Sequence, residues 1–347
     1  MENNSVIQDP ANLQTAYRPD SFVDRESEQE QLEQLHGVRN LFLHGSRGTG
    51  KTHLLLNQVE QLQSSVNTCY IPCKRCSTQY QALKQIYQSC TGETAGDGHH
   101  TAKLQREIQE RTTEVETIVI LDDVDFLLLN DGDSLLYKLS RTNPEKLGVV
   151  MISSQTTDLS QSLEERTYSS LQPFRIGFEP YTASEAYQIL RKRAESSLKP
   201  ETLHKNALTY IVSTTQNISQ GLTWLKTAAK DTDDRITEEA VRQTRKQAYQ
   251  SYVDQQLRYF TQHHSLLHQA IRELEEEHET PIQTGKIYDR YQELCKTYSE
   301  DSVSNRRLSD FLKHLELLDL VEAEYHYGGR KGKTREVTLY KEFDNNT

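Results

Sequence analysis

Residues 44–54 read HGSRGTGKTHL, a glycine-studded turn that closes on a lysine and a threonine. The apolar run VRNLFL (38–43) precedes it, and in HLLLNQVEQL (53–62) the leucines and valine recur at helical spacing. Strand, glycine loop and helix in that order form the context in which Gly-x4-Gly-Lys-Thr holds phosphate. The backbone N–H groups from Gly48 through Thr49, Gly50 and Lys51 to Thr52 are able to turn toward an anion, and the start of the helix adds partial positive charge. Gly45, Gly48 and Gly50 leave room for that approach, because a side chain would block it. Lys51 is expected to reach the outer phosphates of ATP or ADP, and the Thr52 hydroxyl to ligate Mg2+.

Outward from this loop, β-branched and apolar runs alternate with helical patterns. SVNTCYIP (65–72), ETIVILDDVD (116–125), GVVMISS (148–154) and FRIGF (174–178) read as strands, and TQYQALKQIYQSC (78–90) and LLYKLSR (135–141) as helices. That alternation predicts an α/β fold, a mostly parallel sheet with helices on both faces. Asp122 ends a buried run, where an acid would hold Mg2+ through water beside Thr52; the separation from the glycine loop suits strands lying side by side. Asp123 follows, where many ATPases place a glutamate that polarises the attacking water, and aspartate is one methylene shorter. Strands also exit into acidic loops without any such role.

After Phe178 the chain is helical to about residue 250, with DTDDR (231–235) as a loop and Trp224 as core. A third unit follows: helices SLLHQAIRELEEE, GKIYDRYQELCKTY and SNRRLSDFLKHLELL, then a hairpin of LVEAEY and REVTLY. The expected division is a loose leader (1–20), a nucleotide-binding base (21–178), a second, all-α domain (179–250) and a winged helix (251–347). In the last of the three helices Leu308, Phe311, Leu312, Leu315 and Leu318 form one apolar stripe, leaving Arg306, Arg307, Lys313 and His314 on other faces. A recognition helix needs that division. The hairpin tip sets Arg330, Lys331, Lys333 and Arg335 among glycines, a phosphate-seeking wing. The alternative is a winged helix used for protein contacts.

The net charge of −11 confines any DNA site to a local basic patch; the modest acidic surplus also fits a high-salt cytoplasm. No stretch nears the ~18 apolar residues of a membrane helix, and the polar start carries no secretory pattern, so the expected place is cytoplasmic and nucleoid-associated. Cys69, Cys73 and Cys76 have a metal-like spacing, but no fourth ligand is obvious and a buried strand end explains the first two. His99, His100, His263 and His264 read as surface residues.

The ordered set from Gly45–Thr52 through ILDDVD, LLYKLSR, MISSQTTD, LEERTYSSL and FEPYTASEAYQILRKR resembles the AAA+ replication initiators of archaea, the origin-recognition and Cdc-type proteins. HSLLHQAIREL, GKIYDRYQELCKTY, RRLSDFLKHLELLDLVEAE and GGRKGKTREVTL resemble that family's winged helix, so the likeness covers about residues 17–340. It implies an AAA+ base and lid, binding of ATP and Mg2+, and recognition of double-stranded origin DNA with neighbouring initiator subunits and a replicative helicase as partners. VDRESE (23–28) is similar to the segment flanking adenine, Tyr181 and Arg193 match a tyrosine and arginine near the nucleotide, and Arg166 stands where an arginine finger meets a neighbour's γ-phosphate; an exposed ion pair is its other reading. The chain departs from the family at Asp123, usually glutamate, at the sensor, which appears as Ser154 or Gln155, and at Ser219, where a lid arginine is expected. Those losses imply that nucleotide binding survives and hydrolysis is slow. A nucleotide-sensing regulator without helicase loading is the rival reading.

Overall fold

The computed structural model describes residues 5–340 apart from 20, 35–36, 63–65, 77, 97, 156–157, 216, 278–280 and 328–332. The chain divides into two compact units, Ala16–Ile189 and Met1–Thr15 with Leu190–Thr347.

The first unit runs α1 (Glu26–Glu33), β1 (Leu41–His44), α2 (Lys51–Leu62), β2 (Asn67–Pro72), α3 (Gln79–Thr91), α4 (Thr101–Glu114), β3 (Thr117–Asp122), α5 (Val124–Leu128), α6 (Asp133–Arg141), β4 (Leu147–Ser153), α7 (Leu159–Ser162), α8 (Glu165–Leu171) and β5 (Phe174–Gly177). Its five strands are parallel in the order β2-β3-β4-β1-β5. Side chains alternate across a strand, so β3 sends Ile118 and Ile120 to one face with Leu54, Leu55 and Val59 of α2. Val119 and Leu121 go to the other, with Leu83 and Ile86 of α3, Leu104 and Ile108 of α4, and Leu136 of α6. One expectation is corrected here: β4 lies between β1 and β3. The glycine loop reaches the end of β3 because the first turn of α2 spans that intervening strand, not because the two strands are neighbours.

After α9 (Ala183–Glu195), the second unit contains α10 (Lys205–Thr214), α11 (Ile218–Lys230), α12 (Glu238–Leu257), α13 (Gln262–Glu276), β6 (Ile282–Gln283), α14 (Thr284–Thr297), α15 (Asn305–Leu317), β7 (Val321–Tyr327) and β8 (Lys333–Leu339). Trp224 is fully buried on α11, as core. Helix α12 is unbroken across position 251, with Tyr252, Val253 and Leu257 buried. The last three strands form an antiparallel sheet, β6-β8-β7, in which the two-residue β6 pairs Ile282 with Val337. Three helices with this small sheet make a winged helix, and Leu308, Leu312, Leu315 and Leu318 are the buried stripe of α15.

Two readings from sequence are overturned in this unit. The described part of the leader is not loose: Val6 and Leu13 are each 1 % exposed, Ile7 bridges Leu198, and Gln8 N donates to Ser197 O at 2.8 Å. Its two apolar side chains have a core to enter, which a local sequence window cannot reveal. His264 is buried too, with Nε2 3.0 Å from Nδ1 of His314 and its ring against Phe311. Burial, then the neighbouring His314, holds the His264 imidazole at about 3; burial, then Arg272, holds the buried His268 at about 4.

The folded pKa of each lies below the unfolded value of about 6.5, so the unfolded chain binds more protons between the two values. Stability is therefore complete above about pH 6.5 and declines as pH falls, by about 1.4 kcal/mol per pH unit for each group. Denaturant titrations at pH 7 and pH 5 are expected to give a lower midpoint at pH 5, with His264→Gln reducing the difference.

Candidate nucleotide site and nucleic-acid interface

The loop between β1 and α2 is shaped as a cradle that a side chain would fill. Gly45 has φ +143°, and a Cβ there would lie 2.2 Å from the carbonyl oxygen of Phe178. Gly50 has φ +92°, and its Cβ would meet the Tyr181 hydroxyl at 3.0 Å. Gly48 is also left-handed. Lys51 is buried and donates from Nζ to Gly45 O and Ser46 O, each at 2.7 Å, and to Thr49 Oγ1 at 3.2 Å. Burial, then the cation of Arg47, lowers its pKa to about 8. An anion in the loop would relieve both penalties, so these residues fit a nucleotide phosphate.

Three acids gather at the carboxyl end of β3. Asp122 Oδ1 accepts from Thr52 Oγ1 at 3.0 Å and from the backbone N–H of Asp123 at 3.1 Å, while its Oδ2 accepts from the Tyr70 hydroxyl at 2.5 Å. Burial, then the charge of Asp123, raises its pKa. Burial and Asp122 together push the Tyr70 phenol up as well, which keeps it a donor. Asp123 sits at φ +54° and meets Arg47 Nη2 at 3.1 Å, Lys74 Nζ at 3.4 Å and Ser154 Oγ at 3.2 Å. Burial raises its pKa, but Arg47 and Lys74 outweigh that and hold it below the usual carboxylate value. Asp125 accepts from Ser153 Oγ at 2.7 Å and from the N–H of Ser154 at 2.9 Å. Ser154 thus touches the acid cluster, and the N–H of Gln155 donates to Ser153 Oγ.

Sequence reasoning passed over the group that ties this loop down. Arg25 is 3 % exposed and donates to the carbonyls of Thr49 at 3.0 Å, Asp24 at 2.6 Å and Glu179 at 2.7 Å. Its guanidinium lies 4.0 Å from the centre of the Tyr181 ring, so Tyr181 reaches the loop through Gly50 and is held by Arg25. The acidic segment VDRESE pointed to this region without showing which residue spans it. Tyr70, Arg47 and Lys74 were likewise missed, because their contacts to Asp122 and Asp123 join positions far apart in the chain.

Other expected residues are placed as follows. Arg193 is buried in the second unit, donating to the carbonyls of Asn12 and Gln14. Arg166 is exposed, paired with Glu164 at 2.7 Å and 5.1 Å from the centre of the Tyr137 ring. Ser219 lies in the first turn of α11, half-buried. Cys69, Cys73 and Cys76 are buried free thiols, and no group of three metal-binding side chains occurs among the described residues.

In the winged helix, Ser304 caps α15, and Arg306 and Arg307 are exposed in its first turn. Lys313 pairs with Asp310 at 3.1 Å, and His314 turns inward to His264 instead of outward. Arg335 is 9 % exposed and paired with Glu316, so its charge is committed inside the fold and not presented at the wing; it lies on β8 opposite Tyr325, below the hairpin tip. Arg330 and Lys331 lie outside the described residues, as does the side chain of Lys333. No helix of the described residues is long and apolar enough to cross a membrane.

Arg25→Met removes a buried guanidinium that serves three carbonyls at once. Unfolding of the first unit, followed by hydrogen exchange, is expected to become easier by about 2–4 kcal/mol. Tyr70→Phe removes one hydrogen bond to Asp122, a change of about 1–2 kcal/mol by the same readout.

This chain resembles known proteins along most of its length. The family model described as an AAA domain matches residues 34–162, and that of the CDC6 C-terminal winged helix domain matches residues 255–345. An ORC1-type DNA replication protein of Pyrococcus horikoshii is 28% identical over 94% of this chain and 85% of its own. ORC1-type DNA replication protein 1 of Aeropyrum pernix is 29% identical, over 93% and 89%. The structure of the Aeropyrum pernix ORC1 protein in complex with DNA superimposes with a TM-score of 0.76 at 27% identity, covering 98% of this chain and 94% of that one. The chain thus carries an AAA domain and a CDC6-type C-terminal winged helix domain, and along nearly its full length it is similar in sequence and fold to ORC1-type DNA replication proteins of archaea.

Proposed function

We propose that this protein is a replication initiator that binds ATP, grips double-stranded DNA at an origin and helps to recruit the replicative helicase. One observation carries the reading: a phosphate cradle with Thr52 hydrogen-bonded to Asp122 and a winged helix with Arg306 and Arg307 bare at the start of α15 occur in one chain. The full-length similarity to ORC1-type DNA replication proteins supports it. The working division is a base to residue 178, a lid to residue 250 and a winged helix beyond, with the unbroken α12 linking the last two.

In this reading the N–H groups of residues 48–52 and Lys51 bind the phosphates of ATP or ADP, and Tyr181, held by Arg25, borders the nucleotide. Thr52 and Asp122 would hold Mg2+, which neutralises phosphate charge when bound. Arg166 would answer to a neighbouring subunit on DNA. Asp123 and Ser154 would orient water, weakly, because Asp123 already serves two cations. That last contact also favours a second reading, a nucleotide-sensing DNA-binding regulator that does not load a helicase.

The DNA contact is local by necessity. Residues 251–347 carry 13 Lys or Arg against 18 Asp or Glu, so only a concentrated patch on α15 and the wing, from Lys331 and Lys333 with Arg330, supplies phosphate contacts. Replacing Arg306 and Arg307 together with alanine is expected to weaken duplex binding about tenfold or more and to flatten log K against log salt by about 1–2. Unchanged affinity and slope would remove α15 from the interface.

The deciding experiment pairs nucleotide binding with single-turnover hydrolysis and footprinting on origin DNA, with Lys51→Ala as control. Tight binding lost in the control, slow turnover and an origin footprint support the initiator. A footprint confined to promoters, with no helicase capture, supports the regulator.

A further inference from the structure

We infer that Arg47 is a positioning residue that restrains the proposed hydrolysis by holding Asp123, so that the phosphate loop itself keeps the water-orienting acid occupied. This rests on the nucleotide reading above.

Arg47 stands in the turn between Gly45 and Gly48, and its Nη2 lies 3.1 Å from Asp123 Oδ1. The two side chains are 13% and 11% exposed, so water screens the pair little. Oδ1 also accepts from Ser154 Oγ, and Oδ2 faces Lys74 Nζ at 3.4 Å, which leaves both carboxylate oxygens engaged. In hydrolysis, the water oxygen bonds to the terminal phosphorus as the bridging P–O bond breaks, the leaving diphosphate keeps that electron pair, and a water proton passes to a base. Asp123 would need a free oxygen toward that water. Its engagement by a loop cation withholds one.

Arg47 is placed there by repulsion as well as attraction. Its charge opposes that of Lys51 in the same loop, and the acid at the end of β3 is the counter-ion on the far side. The other two acids do not share this arrangement: Asp122 is bound by Thr52 and Tyr70, and Asp125 by Ser153 and Ser154.

Two measurements on the full chain test this. In nucleotide-free protein, hydrogen exchange over residues 45–52 and 122–126 is expected to rise in Arg47→Met and in Asp123→Asn, with the double variant no faster than either. Unchanged exchange in Arg47→Met overturns the tether. In single-turnover ATP hydrolysis, Arg47→Met is expected to be faster by about fivefold, with nucleotide affinity within about threefold of the unsubstituted chain. Arg47→Lys should restore the slow rate, and adding Asp123→Asn to Arg47→Met should abolish the gain. A slower Arg47→Met overturns the inference, since Arg47 would then be acting on the phosphates. Loss of nucleotide binding in the unsubstituted chain would sink the nucleotide reading instead, while the exchange experiment still decides whether Arg47 and Asp123 are linked.

Discussion

Asp122, Asp123 and Asp125 bring three carboxylates to one buried strand end within four residues, and the surrounding structure is organised around separating them. Each has its own donors: a hydroxyl from α2 and a phenol from β2 for Asp122, two cations for Asp123, and a hydroxyl with a backbone N–H from β4 and its exit for Asp125. Without those partners the mutual repulsion and desolvation would favour protonation or local unfolding. Because the donors come from β2, the phosphate loop and β4, the acids fasten the carboxyl edge of the sheet together. The carboxyl end of β3 is therefore a structural junction in its own right.

The parts of this arrangement governed by neighbouring residues were legible in the chain. Gly-x4-Gly-Lys-Thr between an apolar run and a helical pattern marked the loop, and the run ETIVIL marked a buried strand with acids at its end. The parts that depend on distant partners were not. Arg25 looked like one charge in an acidic segment, and only the fold brings the carbonyls of Thr49 and Glu179 to it. Strand order was hidden for the same reason: periodicity says that β1, β3 and β4 are buried, but not that β4 lies between the other two. His264 read as surface because a histidine pair carries no apolar signal; packing of α13 against α15 turns it inward.

The winged helix repeats the lesson on a smaller scale. The stripe of leucines in α15 was correctly assigned to the core, since helical spacing determines the face. The charges were harder, because a cation in sequence does not declare its partner. Arg335 is inside with Glu316 and Lys313 is shared with Asp310, whereas Arg306 and Arg307 stay exposed. On an acidic domain, that sorting decides how few contacts carry an encounter with a polyanion, and it makes their placement matter more than their number.

Helix α12 has a mechanical meaning that its sequence of polar and buried residues conceals. Twenty residues of unbroken helix make a rod about 30 Å long, which packs against α10 and α11, the latter as far along as Tyr252, and meets α13 from Tyr249 onward. Such a rod bends little and transmits torque. A tilt of only about 10° at its origin would carry the far end through about 5 Å, comparable to the rise of one helical turn. A small tilt of α12 would thereby be enlarged along its length into a displacement where the winged helix begins.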